Sequence, residues 1–212
     1  MTRIIAQLRA ILTLTVAGLF LLGFNSAAVA QETEVDTSTI IEMTLGAEDA
    51  PVTIIEYASF TCPHCAIFHE GPLKQIKKEY VDTGKVKLIY RDVYFDRYGL
   101  WASMIARCDG PDKFFGIADL IYSSQSTWSR AGDASSIVDE LRKIGRVAGI
   151  DDAKLEACLQ DGTKAQTLVT WYQANAEKDG IESTPSFIIN REAYSNQSYE
   201  DFKTIIDAEL AK

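Results

Sequence analysis

Val52-Thr53-Ile54-Ile55-Glu56-Tyr57-Ala58-Ser59-Phe60-Thr61-Cys62-Pro63-His64-Cys65 decides the fold. Its first half is a β-branched run with apolar side chains at both alternating sets of positions, the pattern of a strand buried on both faces. Its end sets a Cys-x-x-Cys at the opening of a helix, with Pro63 suited to the first turn. The spacing predicts a helix through about Tyr80, a stop at Asp82-Thr83-Gly84, and a strand from Val86 to Tyr90. Strand, helix and strand at this length make a βαβ unit.

Working outward, Ile40 to Leu45 is expected as a first strand and Ala47-Glu48-Asp49-Ala50-Pro51 as a turn. Downstream, from about Leu100 to Asp179, the pattern is helical and is read as four helices. Asp109-Gly110-Pro111 breaks the run, and Pro111 can open the next helix. Asp133 is placed to cap Ala134 to Val147, which Gly149 closes. Asp151 and Asp152 start another helix, and the last, about Thr163 to Lys178, stops at Asp179-Gly180. Strand character returns at Ser186 to Ile189, with a turn at Asn190-Arg191-Glu192 and a short return strand at Ala193-Tyr194. Ser198 with Asp201 opens a closing helix on which Phe202, Ile205, Ile206 and Leu210 share a face. The order is βαβ, helical insert, ββα. The fold class expected is α/β, with residues 31–98 and 180–212 forming one domain and 99–179 an inserted all-helical domain.

Residues 1–30 carry a different pattern. Arg3 and Arg9 precede an apolar run from Ile11 to Phe24, and small residues end in Ala28-Val29-Ala30. This is the three-part pattern of a cleaved secretory signal. The alternative, a membrane anchor, needs about 20 apolar residues, more than this run supplies. Export places the protein in an oxidising compartment, where disulfides persist.

The net charge of −9, with no Lys/Arg cluster, argues against nucleic-acid binding, which needs local positive charge for phosphate contacts. Solubility is reason enough for the acidity.

The chemistry lies in the cysteines. Cys62 stands at a helix N-terminus, where free N–H groups and the helix dipole stabilise a thiolate. Cys65, three residues on, is close enough to close a small disulfide ring. Cys62 is therefore expected to be the exposed attacking sulfur and Cys65 the buried resolving one. Pro63 holds the first turn, and His64 sets an imidazole beside Cys62 that favours its thiolate. Each pKa unit of depression is worth about 1.4 kcal/mol, roughly 30 mV for a two-electron couple. Stabilising the reduced form in this way tilts the pair toward donating its disulfide. The competing readings are a structural disulfide and half of a zinc site. A structural zinc site needs two further ligands, yet Cys108 and Cys158 are isolated and His64 and His69 lie off a common helical face; no metal is expected. His69 reads as an ordinary helix-face residue.

Four cysteines allow three pairings, and Cys62–Cys65 with Cys108–Cys158 matches the spacing. A Cys108–Cys158 bridge would close a long loop, worth about 4 kcal/mol on the chain-entropy argument. Two reduced thiols are the alternative.

The chain resembles the DsbA-like family of exported thioredoxin-fold oxidoreductases. The resemblance rests on Ala50-Pro51-Val52, Phe60-Thr61-Cys62-Pro63-His64-Cys65, the helical insert, Gly180-Ile181-Glu182-Ser183-Thr184-Pro185-Ser186-Phe187 and the closing helix. It implies a thioredoxin fold, disulfide donation to unfolded or reduced exported proteins, periplasmic residence, a monomer, and no bound cofactor. It also implies reoxidation by a membrane quinone-linked, DsbB-like partner. The family pattern sets Thr184-Pro185 opposite the redox pair with a cis peptide, leaving backbone near Thr184 free to pair with a bound peptide. It sets Glu56 where relatives carry a buried acid beneath the disulfide, able to move a proton to or from Cys65; a solvated strand-end Glu is the other reading. One departure concerns direction. Family oxidases often have an aliphatic residue at the Thr184 position, whereas isomerase-type relatives often have Thr. Two rival functions therefore stand: a reductase or isomerase kept reduced by a membrane electron donor, and a metal- or peptide-binding module using the pair without turnover.

Overall fold

The strand read from Val52 is the middle of the sheet. A computed structural model describes residues 35–212, so the segment read as an export signal lies outside the described residues. β1 (Met43–Leu45), β2 (Val52–Ala58), β3 (Val86–Asp92), β4 (Ser186–Ile189) and β5 (Glu192–Ser195) form one sheet in the order β1-β3-β2-β4-β5. β2 pairs parallel with β3 and antiparallel with β4, which sets Glu56 between Tyr90 and Phe187. A strand flanked on both edges and covered on both faces has to be apolar throughout. Glu56 is the charged exception within it, beside the polar Thr53 nearer its start.

Parallel pairing of β2 and β3 requires a crossover, supplied by α1 (Pro63–Glu70), α2 (Pro72–Ile76) and a π-turn over Lys77–Val81. The single helix expected through Tyr80 is thus broken. Pro72 has no N–H to donate and crowds the residue before it out of the helical region; Gly71 accordingly takes φ −118° and ψ −93°. The first strand is shorter than expected at its start. Only Met43–Leu45 reaches β3, while Ile40 buries its side chain with Met104, Leu168 and Trp171.

Six helical segments, not four, fill the stretch between β3 and β4. They are α3 (Arg97–Ala106), α4 (Pro111–Ser123), α5 (Gln125–Trp128), α6 (Ala134–Val147), α7 (Asp152–Gln160) and α8 (Gly162–Asp179). Ser124, at φ −105° and ψ 10°, splits the four-residue α5 from α4. Asp96, Asp133, Asp151 and Asp161 cap α3, α6, α7 and α8 by accepting backbone N–H bonds. Gly145 lets α6 and α7 meet, since a Cβ there would fall 2.4 Å from Leu155 Cδ2. α9 (Tyr199–Leu210) closes the chain, capped by Ser198.

Two apolar bodies meet behind the first cysteine. Phe68 of α1 packs with Phe187 and Phe202 at centroid distances of 4.7 and 5.5 Å, joining the sheet to α9. Phe60, Tyr90, Phe114, Tyr122 and Trp128 form the second body, and both Cys62 and Cys65 belong to it. The redox pair is therefore held by the sheet on one side and by the helical insert on the other.

Candidate active site

Cys62 is the N-cap residue of α1, with Pro63 in the first turn. Its residue is 8 % exposed and Cys65 is fully buried. The attacking sulfur is thus more enclosed than the sequence suggested. The loop before β4 accounts for this: the Thr184–Pro185 peptide is cis, and Cys62 Sγ donates to Thr184 O at 3.4 Å.

The two thiols differ sharply. Cys62 is held down to about 5, first by a hydrogen bond from the Cys65 thiol. Burial opposes this, and the Thr184 side chain and the backbone N–H groups of Cys65 and His64 add to it. Thr184 Oγ1 is buried without a partner while Cys62 is a thiol. Its rotatable hydroxyl can turn to the sulfur once that sulfur ionises. Cys65 is pushed strongly upward, by burial first, then by the bond to Cys62 and by the charges of Cys62 and Glu56. A pair so divided has one sulfur ready to attack or leave as thiolate and one that keeps its proton. The His64 side chain is exposed at the surface of α1; what it gives Cys62 here is its backbone N–H.

Below the pair lies a buried polar cluster that the sequence reading did not assemble. Glu56 is fully buried, and its Oε1 lies 3.0 Å from Nε2 of His69, itself 2 % exposed. His69 is therefore not an ordinary helix-face residue. It sits four residues beyond Cys65, on the same face of α1, and that spacing was the available signal. The Tyr122 ring stacks on the imidazole at 4.1 Å, and the Tyr122 and Tyr90 hydroxyls share a 2.8 Å hydrogen bond. Gln125 was also missed. Its Nε2 donates to the carbonyls of Phe60 and Cys62 at 2.8 and 2.9 Å, tying α5 to the redox turn. Ahead of the pair, Asp96 caps α3 through Tyr98 and Gly99 N–H and accepts from Thr61 Oγ1 at 2.9 Å.

Cys108 and Cys158 are joined by a disulfide with Cα atoms 5.7 Å apart, linking α7 to the end of α3. It is remote in sequence from the Cys62–Cys65 pair and shares none of its hydrogen bonds. Among the described residues no group of three or more His, Cys, Asp or Glu is arranged to hold a metal ion. No helix among them is long and apolar enough to cross a membrane.

Comparison with known proteins gives the same picture. The family model described as thioredoxin matches residues 38–208. A Rickettsia bellii protein, provisionally named protein-disulfide oxidoreductase, is 30 % identical over 167 residues, 78 % of this chain and 63 % of that protein. The chain thus spans under two thirds of the length of that relative. Disulfide bond formation protein D of Bacillus subtilis is 27 % identical over 78 % of this chain and 76 % of its own. Among solved structures, alpha-DsbA1 of Wolbachia pipientis superposes with a TM-score of 0.71 at 26 % identity, covering 80 % of this chain and 91 % of that one.

Proposed function

The chain belongs to the thioredoxin family, in its DsbA-like branch, and on that premise we propose that it donates the Cys62–Cys65 disulfide to reduced exported proteins. The observation that carries this is the division of the pair: Cys62 held down to about 5 at a helix N-terminus, Cys65 fully buried and held protonated.

A substrate thiolate attacks Cys62 Sγ of the oxidised pair. The Cys62–Cys65 bond breaks, and Cys65 leaves with the electron pair and takes up a proton. The substrate's second thiolate then attacks its own sulfur in the mixed disulfide. Cys62 departs as a thiolate, the substrate is oxidised, and the protein is left as a dithiol. A low Cys62 pKa helps this last step, because the better leaving group departs faster. Glu56, buried beneath the pair, is the group proposed to exchange the proton of Cys65. Backbone at Thr184, beside the cis bond, is proposed to pair with the substrate chain. Export to the periplasm is supported by the pattern of residues 1–30 and by the Cys108–Cys158 disulfide. Return to the disulfide form then falls to a membrane quinone-linked oxidant of the DsbB kind, and turnover needs no bound cofactor.

The test mixes oxidised protein with a reduced, unfolded disulfide protein. One disulfide should pass to the substrate for each dithiol formed, Cys62→Ser should abolish transfer, and Cys65→Ser, mixed instead with the disulfide form of the substrate, should accumulate mixed disulfide as its Cys62 thiolate displaces a substrate thiol. A protein that instead stays oxidised and leaves the substrate thiols intact overturns the proposal.

A further inference from the structure

We propose that His69 is a proton relay that connects the buried Glu56 carboxyl, and through it Cys65, to an open cleft lined by residues of α1, α2 and α4. The proposal deepens the function above and rests on it.

The need is set by burial. When a substrate attacks Cys62, the Cys65 sulfur leaves with negative charge in a site that is fully buried and beside a carboxylate. Such a charge is costly to hold, so a proton has to arrive with it. Glu56, a carboxylate at that moment, can pass on one proton only after receiving it. It is fully buried, and its Oε2 has no hydrogen-bond partner. The carboxyl must be refilled from somewhere.

The geometry supplies one route. His69 Nε2 meets Glu56 Oε1 at 3.0 Å, so the imidazole is in hydrogen-bond contact with the group that needs the proton. Its other nitrogen, Nδ1, is buried and unpartnered. His69 and Tyr122 also line a cleft of about 200 Å³ whose other walls include the exposed residues Glu70, Lys74 and Asp119. The imidazole thus stands between a buried acid and an opening to water. The groups facing it are Glu56 from β2, Tyr90 from β3, Tyr122 and Asp119 from α4, and Cys65, Glu70 and Lys74 from its own side of the molecule.

The proton balance closes over one turnover with one turn of the ring in each direction. In the oxidised protein a neutral His69 carries its hydrogen on Nε2, facing the carboxylate. As the disulfide opens, a proton from the cleft binds Nδ1, the Nε2 hydrogen passes to Glu56, and Glu56 protonates the leaving Cys65 sulfur. The ring then turns over, so that an N–H again faces the Glu56 carboxylate across the 3.0 Å contact of the dithiol form. On reoxidation the ring turns back, Cys65 returns a proton to Glu56, Glu56 returns one to the ring nitrogen beside it, and the hydrogen on the cleft side leaves. No oxidant beyond the one that re-forms the disulfide is involved.

The experiment follows the reduction of Cys62–Cys65 by excess dithiothreitol across the pH range in H2O and D2O. It compares the full chain with His69→Gln, which keeps a hydrogen-bonding group toward Glu56 but cannot relay, and with His69→Ala with and without added imidazole. His69→Gln is expected to slow reduction by about 100-fold, the usual worth of a positioned proton-transfer group. It should also flatten the pH profile and lose the solvent isotope effect seen in the native chain. Imidazole entering by the cleft should restore much of the rate of His69→Ala. Native rate in His69→Gln, or no isotope effect in the native chain, overturns the relay; the latter reading needs no variant to fold. A slow His69→Ala that imidazole leaves unchanged assigns His69 a structural role and also overturns it. A native chain unable to oxidise a reduced substrate protein strikes the parent function instead, so the two failures are distinguishable.

Discussion

Gln125 Nε2 donates to the backbone carbonyl of Cys62 at 2.9 Å, so a side chain from the helical insert holds the turn that carries the attacking sulfur. The same nitrogen also holds the carbonyl of Phe60. Gln125→Leu would leave the Phe60 oxygen buried without a partner, a loss that costs about 1–3 kcal/mol, while the Cys62 oxygen keeps the N–H bonds of Cys65 and Ala66. Denaturant unfolding should register a destabilisation of about that size. Hydrogen exchange should quicken around residues 60–62 before it quickens in the sheet. Unchanged stability would mean that water replaces the amide.

The Cys62 thiolate ties stability to pH in the reduced protein. Its folded pKa, about 5, lies below its ordinary value, so its ionisation stabilises the folded dithiol form. That contribution is complete above the unfolded value near 9 and is lost as pH falls through about 5. The oxidised protein has no such thiol. The melting temperature of the reduced form should therefore gain on that of the oxidised form as pH rises from about 5 to about 9. A difference that is flat with pH would contradict the depressed pKa.

Two neighbours of Cys62 are separable by titration. Thr184→Val removes the hydroxyl available to the thiolate, and the midpoint of thiolate absorbance should rise. His64→Ala keeps the backbone N–H that serves Cys62 and removes only an exposed imidazole, so its rise should be smaller. A larger rise for His64→Ala would return the main part to the imidazole charge.

How much of this was legible depended on whether a residue's reason lay in its own neighbourhood. Val52–Ala58 and Ser186–Ile189 declared themselves by apolar side chains on both faces. Asp133, Asp151, Gly149 and Gly180 marked helix ends by local backbone need. The break at Gly71-Pro72 was written in the sequence and overridden there by the apolar periodicity around it. Ser124 left no comparable mark, because a single residue leaving helical values does not interrupt the pattern of α4 and α5. The Glu56–His69 contact joins a strand to a helix across 13 positions, and its one mark in the sequence was the four-residue spacing that sets His69 on the face of Cys65. Gln125 was hidden more completely, since its partners are main-chain carbonyls, which every residue has.

The Cys108–Cys158 disulfide should be separable from the exchanging pair. Mild reductant is expected to open Cys62–Cys65 first, leaving two cysteines blocked until denaturation. Cys108→Ala with Cys158→Ala should lower stability by up to about 4 kcal/mol, the loop-closure value, while disulfide donation persists. Loss of donation in a variant that still folds would show that the second pair takes part in electron flow.

The equilibrium of the Cys62–Cys65 pair with glutathione tests the central claim most directly. A thiolate stabilised at pH 7 in a site that also strains to keep Cys65 protonated should make the disulfide a strong donor. The potential is expected between about −180 and about −120 mV, more oxidising than the roughly −270 mV of a thioredoxin-type reductant. A value at or below about −270 mV would contradict disulfide donation and favour a reductase built on the same fold.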